Sequence, residues 1–257
     1  MVSSKLQKEK AAIGVNVEKL TNSTFISLVA VFAAFIIICD SLTASYLPLS
    51  TDVWHSWIFI SEPITGIMLG PLVGFFSNLV GAMIGHSINF KDVYEFLFTL
   101  GAPIGAAVSA LIFRGKWKMP IAYYLVLLIG YFAVPVAWQL PLWGMWDVYL
   151  AFAILVATSI VATKWKGFWN IESSARLVYI LALSAFIGLE ADVLFRIFIF
   201  VPCQTYSLFY SLDVGSLQVM WAAGAVETPI KAGLSTLVTA LTGPPIISVA
   251  RKMGLRV

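Results

Sequence analysis

The sequence predicts an all-α, polytopic transmembrane helix bundle of six crossings, or seven, and three observations predict it. Of 257 residues, 60% are hydrophobic and only 11% are charged, with a mean hydropathy of +0.91; a soluble domain carries about 25% charged residues. Long apolar runs stand near 24–47, 56–88, 93–113, 119–140, 147–163, 175–202 and 216–250. Most of them match the ~20 residues that cross ~30 Å of hydrocarbon. Lys and Arg gather between particular runs, which is how membrane proteins mark their cytoplasmic side. So little chain remains that one membrane domain, 23–250, is expected, between a cytoplasmic tail at 1–22 and another at 251–257.

Residues 1–20 are polar and Lys-rich and lack the apolar core of a cleavable signal peptide. Lys5, Lys8, Lys10 and Lys19 form the first basic cluster. Arg114, Lys116 and Lys118 form the second, Lys164, Lys166 and Arg176 the third, and Arg251, Lys252 and Arg256 the fourth. All four are expected in the cytoplasm, with both termini, at the plasma membrane. Asp40, Asp52, Asp147 and Asp213 mark stretches without Lys or Arg and are expected outside.

This assignment creates a parity problem. An even number of crossings must connect the first basic cluster to the second, yet three apolar runs lie between them. The run 56–88 contains Pro63 and Pro71 and five glycines, and it is too long for one straight span and too short for two ordinary ones. A broken or re-entrant helical hairpin resolves the parity. Non-helical backbone at membrane depth survives only where protein or a cavity satisfies it, so the break also marks a candidate site.

Four groups of residues could carry function. Gly66, Gly70, Gly74, Ser77, Gly81 and Gly85 recur every three or four residues, a small-residue stripe that admits a close helix neighbour. Glu62 stands beside it, with Pro63 and Pro71 as helix breaks. The second group is Glu227 and Lys231, one turn apart around Pro229; Glu62-Pro63-Ile64 and the Glu227-to-Ile230 stretch loosely repeat one another, as paired broken segments do at transporter sites. In the third, Asp192 and Arg196 are spaced to neutralise each other, and Glu190 has no such neighbour. The fourth is Ala30 and Ala34, a small-xxx-small face for a partner helix.

Trp57, Trp138, Trp143 and Trp146 either line a pocket or form an interfacial belt, and the sequence leaves both open. The cysteines, Cys39 and Cys203, are far apart and without metal-ligand spacing, so no disulfide or metal site is expected. The only histidines are His55 and His86, and no nucleotide-binding, metalloprotease or nucleophile-elbow motif occurs. No enzymatic activity, cofactor or nucleic-acid partner is expected.

EPITGIMLGPLVGFFSNLVGAMIG at 62–85, GAPIGAAVSALIFRGKW at 101–117, LPLWGMWD at 140–147 and PIKAGLSTLV at 229–238 together resemble S components of energy-coupling-factor (ECF) transporters, in their archaeal-type form. The resemblance centres on Gly70, Pro71 and Gly74. It implies a six-helix subunit that captures a vitamin, cofactor precursor or similar small molecule. It also implies a transmembrane coupling subunit and two ATPase subunits as partners, with Ala30 and Ala34 on the contact face. The expected pocket is lined by Glu62, Glu190, Glu227 and Lys231 with Trp143 and Trp146. The competing reading is a stand-alone secondary transporter or channel using its membrane carboxylates for ion or proton coupling.

Overall fold

The computed structural model describes residues 21–41, 56–88, 90, 93–165, 169 and 173–252. Lys5, Lys8, Lys10, Lys19, Asp52, His55, Lys166 and Arg256 lie outside them. Every regular element among the described residues is helical. The main helices are α1 (Asn22–Ser41), α2 (Ile58–Leu69), α3 (Pro71–Ile88), α4 (Gly101–Phe113), α5 (Lys118–Phe132), α6 (Trp146–Lys164), α7 (Ser174–Phe200) and α8 (Val214–Lys252). Six segments are long and apolar enough to cross a membrane: α1, α3, α4 with the 3₁₀ turn Tyr94–Leu100 before it, α6 with the short turn before it, α7 and α8. The apolar helices α2 and α5, of 12 and 15 residues, are shorter.

Local chemistry sets the helix ends. Thr21 Oγ1 accepts the Thr24 amide at 3.2 Å to open α1, and Asp213 Oδ1 accepts the Ser216 amide at 2.7 Å to open α8. That amide holds the exposed Asp213 carboxyl below the usual carboxylate range. The run at 119–140 is not a single helix: α5 ends at Phe132, and 3₁₀ turns fill Pro135–Gln139 and Leu142–Met145, where Pro135 and Pro141 cannot continue a helix. The last helix runs through Lys252, beyond the expected boundary at 250. At 1.5 Å per residue its 39 residues extend about 58 Å, nearly twice the hydrocarbon thickness.

The expected hairpin at 56–88 is present. Gly70 closes α2 with φ +94°, open to glycine at little cost, and Pro71 starts α3 where its missing N–H is not needed. The two arms touch backbone to backbone, since a Cβ on Gly74 would stand 2.7 Å from Gly66 Cα. Asn78 Nδ2 donates to Thr65 Oγ1 across the pair at 2.8 Å. The turn lies beside Arg114, while Gly85 at the far end of α3 lies beside Asp40.

Cross-contacts fix the helix directions. Gly81 meets Ile36 and Gly85 meets Asp40, so α1 and α3 are parallel; Gly101 meets Asp192 and Gly105 meets the Gly188 carbonyl, so α4 and α7 are antiparallel. Followed around the bundle, these pairings place Asp40 and Asp213 at one end, with Asp147 deeper in the same half against Thr228, and Arg114, Lys116, Lys118, Lys164, Arg176 and Lys252 at the other end. We call them the acidic and basic ends. The core centres on α7, 78% of whose apolar window is buried, against 11% for the peripheral α1. In a cysteine-free background, a cysteine at 116 is expected to label only from the cytoplasm and one at 213 only from outside. External labelling at 116 would overturn the assignment of the basic end to the cytoplasm.

Candidate functional site

Two prolines shape the interior, and each frees a carbonyl that another helix then takes. Pro63 cannot donate to the Phe59 carbonyl four residues back, and Ser235 Oγ on α8 donates to it at 2.5 Å. Pro229 releases the Ala225 carbonyl in the same way, and the Trp146 indole N–H donates to it at 2.9 Å. Both breaks are therefore satisfied inside the protein, as membrane depth requires.

Around these breaks lie the ionisable groups. Glu62 on α2 is fully buried, and so is Glu190 on α7. Arg196 grips Asp192 with two bonds, Nε to Oδ1 at 2.6 Å and a second nitrogen to Oδ2 at 3.1 Å. Lys231 Nζ meets Glu227 Oε1 at 2.8 Å. Asp147 accepts the Thr228 hydroxyl and the Val148 amide. Two glycines of α4 make room for this chemistry: a Cβ at Gly105 would stand 1.8 Å from Glu62 Oε1, and one at Gly101 would stand 1.7 Å from Asp192 Oδ1. On the far side of α7, the hydroxyls of Tyr123 and Tyr124 donate to the carbonyls of Ala191 and Ile187, both at 2.8 Å, and lock α5 in place.

A cleft opens between the acidic-end halves of α7 and α8. Arg196, Glu227 and Thr228 supply its polar groups, and Phe98, Phe200 and Trp221 supply aromatic walls. Trp221 stacks on Tyr131, with rings 6.0 Å apart and 3° from parallel, and its buried indole N–H has no acceptor. Such a cleft can hold a planar molecule between aromatic faces and orient it with one cation and one carboxylate.

The expected residues distribute unevenly. Glu227 lines the cleft and Lys231 is its ion partner; Glu62 and Glu190 lie buried in the same interior, outside the cleft wall. Trp146 is tied to the Pro229 break, whereas Trp143 and Trp138 are 57% and 66% exposed on the bundle surface, as an interfacial belt would be. Trp57 stacks on Phe59. Ala30 and Ala34 are both exposed on the outer face of α1. Gly66, Gly70 and Gly74 build the hairpin turn and its close contact. Among the described residues no cluster of three His, Cys, Asp or Glu is placed to hold a metal ion.

Sequence reading missed Trp221, Thr228 and the site position of Asp147, because the first two look like ordinary core and the third stood in a stretch read as an outer loop. It also missed His86, whose Nε2 lies 3.9 Å from Asp40 and 3.8 Å from Glu95 while Nδ1 meets Thr99 Oγ1 at 3.1 Å. That cluster draws on three separate elements at the acidic end. No protein-family model, curated protein or solved structure matches the chain.

Proposed function

We propose that this chain is a membrane-embedded capture subunit of an ECF-type importer, which binds a small molecule from outside in the cleft between α7 and α8. The observation that carries the reading is the composition of that cleft, a guanidinium, a carboxylate and a hydroxyl set among three aromatic side chains. The ligand it suits is a compact planar molecule bearing both charge and hydrogen-bonding groups, in the class of vitamins and cofactor precursors.

The frame supports the same reading. Six segments among the described residues are long and apolar enough to cross a membrane, the number of helices the resemblance implies. The Gly70, Pro71 and Gly74 residues that centre the likeness form the α2–α3 turn. Ala30 and Ala34 face outward on α1, where a coupling subunit could approach closely. Energy would come from two separate ATPase subunits, and both termini would lie in the cytoplasm at the plasma membrane.

The test is purification in mild detergent followed by mass spectrometry of the bound small molecule. Trp221→Ala is expected to weaken its retention about tenfold, the equivalent of about 1.4 kcal/mol, within the range for loss of one stacked aromatic. Trp143→Ala is expected to leave retention unchanged. Equal retention by wild type and Trp221→Ala would remove the cleft from consideration. A second reading, a stand-alone ion-coupled carrier, is favoured by Glu62 and Glu190, whose carboxyl oxygens are buried without hydrogen-bond donors. Ion-gradient-driven uptake by the purified chain alone in liposomes would put that reading first.

A further inference from the structure

Among the described residues, besides Asp40 at the acidic rim, five carboxylates are buried around the cleft at Glu62, Asp147, Glu190, Asp192 and Glu227, and two cations, Arg196 and Lys231, face them. With all seven groups ionised, three negative charges would stand uncompensated in the membrane interior, an arrangement that burial strongly opposes. The hydrogen bonds identify which carboxylates have donors. Asp192 has Arg196, Glu227 has Lys231, and Asp147 has the Thr228 hydroxyl and the Val148 amide. No N–H or hydroxyl group donates to any of the four oxygens of Glu62 and Glu190, and the Glu62 carboxyl stands within hydrogen-bonding reach of the Asp192 carboxyl.

The charged surroundings of Glu62 come from several elements. Asp192 and Arg196 on α7 are its nearest charged neighbours. Glu95, before α4, faces Arg196, and Lys231 of the Glu227–Lys231 pair on α8 faces Arg196 and Asp192. Glu190 lies further along α7. The Tyr123 hydroxyl on α5 is already donated to the Ala191 carbonyl, α1 and α3 bring Asp40 and His86 at the rim, and α1 also brings the Cys39 thiol against Ser61. A Cβ at Gly105 would stand 1.8 Å from Glu62 Oε1, so α4 leaves no room on that side of the carboxyl.

We propose that Glu62 is a proton-binding site inside the bundle, loaded and unloaded through the Asp192–Arg196 pair that stands between it and the cleft. On loading, a proton from cleft water forms one O–H bond at a Glu62 carboxyl oxygen. On unloading that bond breaks, the proton returns to water, and the carboxylate left behind competes with Asp192 for Arg196. Because Arg196 also lines the cleft, proton loading of Glu62 and binding of an anionic group at Arg196 favour one another. Only this last consequence rests on the cleft being the capture site.

The deciding experiment is infrared difference spectroscopy of the full chain in lipid nanodiscs, in H₂O and D₂O and across a pH series. It compares wild type, Glu62→Gln, Glu62→Asp and Glu190→Gln. The expected result is a carbonyl-stretch band of a protonated carboxylic acid that shifts in D₂O and fades as pH rises. That band is absent from Glu62→Gln, displaced in Glu62→Asp and retained in Glu190→Gln. Glu62→Asp keeps the test decisive if the Gln variant does not fold. Three results would overturn the proposal: every band surviving in both Glu62 variants, a Glu62 band that never shifts in D₂O because its proton is sealed, or a Glu62 band abolished by sodium at constant pH. No small molecule is involved, so failure here leaves the capture reading standing, and loss of that reading leaves this result intact.

Discussion

Asp192→Asn is expected to destabilise the protein by about 3–5 kcal/mol, the cost of removing one partner from a buried ion pair. The asparagine keeps the shape of the side chain but offers Arg196 one neutral acceptor in place of two charged ones. Arg196 is only 13% exposed, so solvent replaces little of what Asp192 supplies, and the guanidinium keeps its charge at the cleft wall. Replacing both partners with apolar residues of similar size, Asp192→Leu with Arg196→Met, is expected to recover most of the loss, because neither member of the pair is then left buried without the other. The measurement is thermal unfolding in detergent for the single and double variants together. A single variant within about 1 kcal/mol of wild type, the range of an exposed pair, would mean that the pair is solvated in the folded protein.

Gly66→Ala is expected to cost on the order of 4 kcal/mol or more, large for the addition of one methyl group. Its Cβ would stand 2.0 Å from the carbonyl oxygen of Ala106, a backbone atom that cannot swing aside, so α2 and α4 must part. Separating them also disturbs the seat of Glu62 against Gly105, and the loss of packing extends beyond the substituted residue. The matched control is Gly224→Ala in α8, where a Cβ meets nothing within 4 Å. That substitution is expected to be neutral or to stabilise by up to about 1 kcal/mol, since alanine is the better helix former. Similar melting of the two variants would show that α2 and α4 are not in backbone contact in the bilayer.

Much of the fold is legible in one dimension because the membrane imposes rules that act on one residue at a time. Hydrocarbon penalises charges and unpaired backbone wherever they occur, so the apolar runs mark the helices. The density of proline and glycine in 56–88 likewise exposes the hairpin, although the turn itself needs the φ of +94° that only Gly70 supplies cheaply. The Lys and Arg clusters sort the helix ends in the same way, and Glu62, Glu190 and Glu227 stand out because a carboxylate among apolar residues needs a reason.

The sequence by itself determined that this is an all-α membrane protein, where most of its helices and its broken segment lie, and that Glu62, Glu190 and Glu227 stand among apolar residues. Only the tertiary structure decided which groups meet. Helices apolar on every face carry no amphipathic cue to which side turns inward. Nothing local therefore indicates that Trp221 walls a cleft while Trp143 faces outward, or that Trp146 and Ser235 complete the hydrogen bonding that Pro229 and Pro63 interrupt. Those choices depend on contacts between residues 79 and 176 positions apart, set by how closely glycine lets the helices pack. The same packing brings Glu62 to Asp192 and Arg196, where separate solvation costs become one shared charge balance.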